Sequence, residues 1–183
     1  MTTPHTPNSH PTTIAFTKGH GTQNDFIILP DPEAQLSLTP QLIATLCDRQ
    51  RGIGADGILR VATTGALRRA GLLANSPTSL EAISDDDWFM DYYNADGSVA
   101  EMCGNGTRVF AHYVRSRGLV PTDQFTIGTR AGAKPVTVHS FDDDNAVVSV
   151  AMGPATSLGE STCSMGGRMY AGMGVDMGNP HLA

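Results

Sequence analysis

Strand and helix signals follow one another without a break in the middle of the chain, and they favour an α/β arrangement. Trp88–Tyr93 is typical of a strand, and Asp96-Gly97 is typical of a tight hairpin turn. A return strand over Val99–Met102 leads into the small residues of the segment CGNG and then into a helix that ends at Gly118. The apolar residues of this helix share one face: Val109, Phe110, Tyr113 and Val114.

The N-terminal half adds further strands and one further helix. We expect ordered structure to begin near Ile14, and we interpret the glycine-rich segment KGHGTQNDF as a turn between two apolar runs. Thr39-Pro40 is typical of an N-cap followed by the first residue of a helix, and Ile58–Ala62 is typical of a strand. The small and acidic residues of Thr63–Asp87 indicate a variable connection with one helical turn near Leu80.

The C-terminal part changes character, which predicts a second domain. Val136–Phe141 and Ala146–Met152 flank an acidic turn, and Tyr170–Met177 is a further expected strand. The fold class predicted for the whole chain is α/β (α+β). The predicted organisation is a disordered tail at residues 1–13, a first domain at 14–132 and the start of a second domain at 133–183.

The charge balance and the cysteine content restrict the classes of partner. The formal net charge is −6 without a stripe of lysine and arginine, so clustered contacts with nucleic-acid phosphates are not expected. The apolar runs are too short to span a bilayer, and the polar N-terminus lacks the apolar core of a secretory signal. Cysteines without CxxC spacing favour free thiols in a reducing, cytoplasmic setting.

Several patterns look like functional motifs but have simpler explanations. Gly52–Gly57 matches GxGxxG, yet a dinucleotide-binding loop follows a strand and opens a helix, whereas this segment is expected between a helix and a strand. Asn105-Gly106-Thr107 matches the glycosylation sequon, which requires a secretory context. The histidines are scattered without the spacing of metal ligands, so we expect no metal site.

Cys103 is the strongest candidate for a reactive residue, because it lies at the expected start of a helix. The positive end of the helix dipole favours thiolate over thiol, and the small residues that follow leave backbone N–H groups open to an anion. A carboxylate bound there would bring its α-carbon near the sulfur. The alternative is a structural cysteine beside a tight turn, just as Cys47 is expected to be a core residue of the first helix.

Asparagines in turn-like segments are further candidates. Asn24, Asn94 and Asn179 each have a local explanation, since an asparagine side chain bonds its own backbone in turns. As a set, they also offer the neutral donors and acceptors that orient an amino acid. His181 lies beside the last of them, where it either tunes a thiol or pairs with the backbone.

Four segments in this order resemble the N-terminal part of diaminopimelate epimerases, in an actinobacterial-like form: HGTQNDF, CDRQRGIGADGIL, YNADGSVAEMCGNGTRVFAHY and MGNPH. The resemblance implies epimerisation of LL-2,6-diaminopimelate to the meso form without a cofactor, in lysine and peptidoglycan precursor biosynthesis. It also implies a homodimer. The implied fold has two similar α/β domains, each a curved sheet around a central helix, with the site in the cleft between them.

The resemblance further implies the role of each site residue. Two cysteines act on opposite faces of the substrate α-carbon, one as base and one as acid, and Cys103 matches one of them. His181 matches a histidine that supports catalysis. The residues that match substrate-binding positions are Asn24, Asn94, Gly104, Asn105 and Asn179.

The second catalytic cysteine of the family has no match in this sequence. Cys163 is followed by Ser-Met rather than Gly-x-Gly and precedes the MGNPH segment, so we interpret it as an incidental thiol. The chain is therefore expected to be a truncated form of a working epimerase that carries half of the active site and is inactive alone. The alternatives are a non-catalytic remnant and a two-thiol racemase for another amino acid.

Overall fold

The computed structural model describes residues 13–74, 80–177 and 180–183. Its strands form a large sheet of eight strands and a smaller sheet of three. The large sheet contains β1 (Thr17–Gly21), β2 (Asn24–Pro30), β3 (Gly57–Thr63), β4 (Trp88–Asn94), β5 (Val99–Ala100), β6 (Gln124–Thr129), β7 (Gly132–Phe141) and β8 (Ala146–Val150). The small sheet contains β9 (Thr156–Met165), β10 (Arg168–Asp176) and β11 (Pro180–Leu182). The helices are α1 (Pro40–Cys47), α2 (Thr64–Arg69) and α3 (Gly104–Ser116).

The large sheet is mixed. Its strand order is β1-β2-β3-β4-β6-β7-β8, and the short strand β5 pairs with β4 outside this path. The pairs β2–β3 and β4–β6 are parallel, and the other pairs in the sheet are antiparallel. Helix α1 makes the crossover between the parallel strands β2 and β3, as a parallel pair requires.

Helix α3 is enclosed by the large sheet. It contacts both edge strands, β1 and β8, together with β2, β3, β4 and β7. A flat sheet cannot bring both of its edges to one helix, so the sheet curves around α3. Phe110 and Val114 of the helix are fully buried in a core that includes Phe26, Leu59 and Ile127 of the strands. The predicted curved mixed sheet around a helix is confirmed.

The opposite face of the sheet is covered by α1. Successive side chains of a strand point to opposite faces, and β2 is buried on both of them. Phe26 belongs to the core around α3, whereas Ile27 packs in a second core with Ile43 and Cys47 of α1. The prediction that Cys47 is a core residue is confirmed.

A third cluster on the sheet contains opposite charges. Arg60 on β3 is almost fully buried between two carboxylates: its Nε lies 3.4 Å from Asp31 Oδ2, and its Nη1 lies 3.7 Å from Asp91 Oδ2. Arg130 donates to Asp91 Oδ1 at 2.6 Å, and the Tyr93 hydroxyl donates to Asp91 Oδ2 at 2.7 Å. Burial and the neighbouring Asp91 carboxylate raise the pKa of Tyr93.

The glycine-rich segment KGHGTQNDF, which we interpreted as a turn, does contain one, but it also includes most of strand β1 and the first residues of β2. The turn itself is Thr22-Gln23, whose φ angles are 54° and 69°. The glycines serve a different purpose, because α3 lies directly against this strand. A Cβ atom on Gly19 would lie 3.1 Å from Val109 Cγ1, and one on Gly21 would lie 2.8 Å from the carbonyl oxygen of Asn105.

Other predictions about secondary structure were wrong in part. The segment predicted as a variable connection contains α2, which begins after Thr63, whose hydroxyl accepts the N–H of Ala66 at 3.2 Å. The return strand predicted over Val99–Met102 is shorter and ends at Ala100. Strand β9 was not predicted, because its side chains are exposed along its whole length and show no apolar alternation.

The predicted domain boundary near residue 133 falls inside the large sheet. Strands β7 and β8 continue that sheet and pack on α3, and the smaller sheet begins at β9. The boundary remains a prediction. The predicted tail at residues 1–13 lies outside the described residues except for Thr13. Among the described residues, no helix has both the length and the apolar character needed to cross a membrane.

Candidate active site

A cleft of about 740 Å³ opens at the N-terminal end of α3. Its walls come from the starts of β2 and α3, the end of β4, the segment from Val99 to Met102 and the smaller sheet. Every predicted site residue in the described part of the chain lines it: Asn24, Asn94, Cys103, Gly104, Asn105 and His181. Asn179 lies outside the described residues.

Cys103 is the N-cap of α3, as its position before the helix predicted. Its backbone is extended, with φ −144° and ψ 112°, and its Sγ accepts the N–H of Gly106 at 3.4 Å. The thiol is half-buried and donates to Asn24 Oδ1, which lies 3.7 Å from Sγ. The sulfur is therefore held between a backbone donor of the helix and a side-chain acceptor of β2.

An ionic cluster behind the cleft holds Asn24 in place. Asn24 Nδ2 donates to Asp56 Oδ2 at 2.6 Å. Arg49 Nη2 lies 2.7 Å from Asp25 Oδ1 and 2.8 Å from Asp56 Oδ1, so one guanidinium joins two carboxylates. The hydrogen bonds from Arg49 and then from Lys18 hold the pKa of Asp25 well below its usual range.

Asp56 was missed by sequence reasoning, although its segment was considered. The GxGxxG pattern over Gly52–Gly57 was tested only as a phosphate-binding loop, and the structure confirms that it follows a helix and precedes a strand. The sequence around Asp56 gave no signal of its partners, because the side chain reaches across to the start of the neighbouring strand β2. Asp56 Oδ2 accepts both the Asn24 side chain and the N–H of Asp25.

The two glycines after Cys103 differ in their surroundings. A Cβ atom on Gly106 would lie 3.3 Å from Leu59 Cδ2 and 3.5 Å from Phe26 Cζ, so this position is restricted by the core. A Cβ atom on Gly104 would meet only Met152, at an ordinary contact distance of 3.7 Å. Packing within the protein therefore does not require glycine at position 104. A side chain there would extend into the cleft instead.

The other two asparagines make local contacts at the cleft. Asn105 Oδ1 accepts from Arg108 Nη2 at 2.6 Å, and the same guanidinium nitrogen donates to Thr22 Oγ1 at 2.6 Å. Asn94 Nδ2 donates to Ser98 Oγ at 3.0 Å within the β4–β5 hairpin. Arg108 thus ties the first turn of α3 to the β1–β2 turn.

Tyr92 lines the cleft and was not among the predicted site residues. Burial raises its pKa to about 12, with a further contribution from the charge of Cys103, so its hydroxyl keeps its proton at neutral pH. Its ring packs edge-on against Phe26, with centroids 5.9 Å apart. Further lining residues that were not predicted are Glu101, Met102, Met152, Asp176 and Met177.

His181 lies on the far wall of the cleft, in the smaller sheet. It belongs to β11 and pairs with Val175 of β10. Residues from both sheets therefore surround the cleft, and the half-buried thiol of Cys103 lies between them. This arrangement brings a nucleophilic sulfur, neutral amides, a helix N-terminus and an imidazole to one water-accessible space.

Comparisons with known proteins identify the family of the chain. The sequence profile of the family described as Diaminopimelate epimerase matches residues 16–158. The diaminopimelate epimerase of Rhodococcus erythropolis is 57% identical over 171 residues, which cover 93% of this chain and 58% of that protein. The diaminopimelate epimerase of Corynebacterium aurimucosum is 62% identical over 170 residues, which cover 93% of this chain and 59% of that protein. The chain thus spans less than two thirds of the length of these relatives.

Two solved structures share the fold at low sequence identity. A hydroxyproline epimerase from Agrobacterium vitis has a TM-score of 0.59 and 9% identity, and covers 88% of this chain and 48% of its own. A probable proline racemase from Agrobacterium radiobacter has a TM-score of 0.59 and 12% identity, and covers 89% of this chain and 49% of its own. The family profile spans more than half of the sequence, and the chain belongs to the diaminopimelate epimerase family.

Proposed function

We propose that this chain supplies one half of the active site of a diaminopimelate epimerase, which converts LL-2,6-diaminopimelate to the meso form without a cofactor. The observation that carries the proposal is the Cys103 thiol at the N-terminus of α3, in one cleft with Asn24, Asn94 and His181. Family membership supports the choice of substrate.

The first turn of α3 is suited to bind the substrate α-carboxylate. The leading N–H groups of a helix have no acceptor within the helix, and they lie at the positive end of its dipole. Gly104 and Asn105 occupy these positions, and the missing side chain of Gly104 leaves room for the ligand. A carboxylate bound here would place the α-carbon beside Cys103 Sγ.

Cys103 is proposed to exchange the α-proton. In one direction its thiolate takes the proton, and the electron pair left on the α-carbon spreads into the bound carboxylate, whose growing negative charge the helix N–H groups stabilise. A second cysteine, outside this chain, returns a proton to the opposite face. In the reverse direction the two thiols exchange roles.

The remaining cleft residues are proposed to orient the substrate. Asn24 and Asn94 offer amide donors and acceptors to its charged groups, and His181 supports the thiol chemistry from the opposite wall. Asn179, which lies outside the described residues, is included in this proposal by resemblance alone. The biological setting proposed with this function is the cytoplasm, in the synthesis of lysine and of peptidoglycan precursors, by a homodimer.

A chimera tests the proposal directly. This chain would be joined to the remaining C-terminal part of the Rhodococcus erythropolis epimerase, and the loss of the α-proton of LL-diaminopimelate in D₂O would be followed by NMR. We expect exchange and meso product with the chimera, and neither with the isolated chain. L-Proline serves as the comparison substrate. A folded chimera that exchanges proline and leaves diaminopimelate untouched would contradict the proposed substrate.

A further inference from the structure

We propose that Asp56 is a positioning residue of the candidate site, which fixes the Asn24 amide so that its oxygen faces the Cys103 thiol and accepts the hydrogen bond from it. Asp56 does not line the cleft and acts only through Asn24. The role of this thiol in proton transfer rests on the proposed function, whereas the positioning itself rests on the geometry below.

The orientation of the Asn24 amide follows from the chemistry of its partner. An ionised carboxylate accepts hydrogen bonds and donates none. Asp56 is paired with the guanidinium of Arg49 at 2.8 Å, and its Oδ2 lies 2.6 Å from the Asn24 side chain. Only the NH₂ group of the amide can make this contact, so the carbonyl oxygen must point the other way, where Cys103 Sγ lies 3.7 Å away.

Asp56 is itself well fixed. Its Oδ2 accepts the backbone N–H of Asp25 at 3.0 Å in addition to the Asn24 amide. Its Oδ1 binds Arg49, which is anchored by two hydrogen bonds to Asp25, at 2.7 and 3.1 Å. With three partners, the Asp56 carboxylate cannot rotate freely. It therefore fixes the orientation of the Asn24 amide that it binds.

The amide orientation decides whether Cys103 faces a hydrogen-bond acceptor or a donor. An oxygen acceptor stabilises the S–H group, whereas an NH₂ group in the same place would stabilise a thiolate. The N–H of Gly106 and the helix dipole act in the opposite sense, toward the thiolate. Asp56 therefore keeps the thiol hydrogen-bonded to the Asn24 oxygen, and this hydrogen bond must break before the sulfur attacks a reagent.

Other charged or titratable groups lie in the cleft or in the ionic cluster behind it, and the variants Asp56→Ala and Asn24→Ala leave all of them in place. They lie in the β1–β2 hairpin, the loop before β3, strand β4, the segment before Cys103, helix α3 and the smaller sheet: Lys18, Asp25, Arg49, Tyr92, Glu101, Arg108, Asp176 and His181.

The test is the rate at which iodoacetamide alkylates Cys103, followed by peptide mass spectrometry across a pH series. Cys163 is exposed on β9 and serves as the reference thiol in the same sample, while burial raises the pKa of Cys47 and keeps it unreactive. Since loss of one hydrogen bond is worth about a factor of three to ten, Asp56→Ala should accelerate alkylation of Cys103 by about that factor at neutral pH.

Asp25→Ala is the matched control for charge. It removes one carboxylate from the same Arg49 cluster and leaves the bond between Asn24 and Asp56 intact. We expect it to produce less than half of the acceleration seen with Asp56→Ala. Equal accelerations would show that charge alone acts on the thiol and would overturn the proposal.

The variant Asn24→Ala completes a double-mutant cycle. It removes the acceptor from the sulfur directly, so alkylation of Cys103 should be faster than in the parent chain. In the Asn24→Ala background, adding Asp56→Ala should change the alkylation rate of Cys103 by no more than adding Asp25→Ala does. The amide through which Asp56 acts is absent there. An unchanged rate in Asn24→Ala overturns the proposal even if Asp56→Ala does not fold, which circular dichroism reports.

Failure of this proposal is distinguishable from failure of the proposed function. Alkylation is measured on this chain without substrate, whereas epimerisation is measured on the chimera. If neither Asp56→Ala nor Asn24→Ala accelerates the alkylation of Cys103, the role of Asp56 is contradicted even if the chimera is active. An inactive chimera with the expected alkylation rates contradicts the epimerase assignment alone.

Discussion

The amide oxygen of Asn24 and the sulfur of Cys103 lie 3.7 Å apart, although 79 positions separate these residues in the sequence. The contact exists because the β1–β2 hairpin lies against the first turn of α3. Gly21 allows that approach, since a Cβ atom there would lie 2.8 Å from the Asn105 carbonyl oxygen. The environment of the thiol is therefore created by tertiary packing rather than by the helix alone.

The first prediction concerns the thiol itself. In the chimera, Cys103→Ala should reduce the rate of α-proton exchange from diaminopimelate by about a thousandfold or more, because one of the two acid–base groups is lost. Cys163→Ala is the control and should leave the rate unchanged, since its side chain is exposed on β9. NMR in D₂O measures both. Comparable rates for the two variants would rule out the assigned role of Cys103.

The second prediction separates the two glycines that follow Cys103. Gly106→Ala should lower the free energy of unfolding by about 1–3 kcal/mol, because the added methyl group is forced against Leu59. Gly104→Ala should leave the stability unchanged or slightly raised, but should raise the KM of the chimera, because its methyl group occupies ligand space. Urea unfolding and steady-state kinetics provide the two measurements. Equal loss of stability in both variants would contradict this division of roles.

The third prediction concerns the pH dependence of stability. The pKa of Asp25 is lowered in the folded chain, chiefly by Arg49, from an unfolded value of about 3.9. Its contribution is therefore fully present above pH ~4 and is lost as the pH falls toward the folded pKa. Asp25→Asn should be less stable than the parent chain at pH 7, and the difference should shrink below pH ~4.

Urea unfolding at a series of pH values measures this effect. The control is Asp123→Asn, which removes an exposed partner of Arg115 and should have little effect at any pH. A difference between Asp25→Asn and the parent chain that stays constant down to pH 3 would show that the carboxylate acts through shape rather than charge.

The fourth prediction concerns the buried ion pairs. Asp91→Asn should lower the free energy of unfolding by about 3–5 kcal/mol, because it leaves the charges of Arg60 and Arg130 buried without this carboxylate. The control is Glu33→Gln, which breaks an exposed pair with Arg69 and should cost less than about 1 kcal/mol. Similar losses in the free energy of unfolding for Asp91→Asn and Glu33→Gln would mean that water reaches the ion pairs of Asp91.

Local sequence signals predicted the elements whose chemistry is local. Cys103 was identified as a helix start from the small residues after it, and the face of α3 followed from its apolar spacing. The nature of β1 was not predictable in this way, because its glycines make room for Val109 and Asn105, which are distant in sequence. Strand β9 was missed because exposed strands lack an apolar pattern.

The restriction of sequence signals to local contacts also explains which site residues were predicted. Asn24 and His181 were candidates from their sequence surroundings and received their roles from the resemblance, whereas their position at one cleft depends on pairing between distant strands. Asp56 was missed because a carboxylate in a loop carries no signal of its own until its partners are known. Its three contacts, to Asn24, Asp25 and Arg49, all involve other segments of the chain.

The enclosure of α3 has a consequence for the order in which the chain folds. Strands β1–β4 precede the helix in the chain, and β6–β8 follow it, so a growing polypeptide presents only one half of the wall when α3 is complete. Pairing of β4 with β6 brings Phe89 next to Gly128, although the whole of α3 lies between these residues in the sequence. Contacts between residues so distant in sequence form slowly. We therefore expect α3 to dock on β1–β4 first, and the β6–β8 meander to close over it in a late, rate-limiting step.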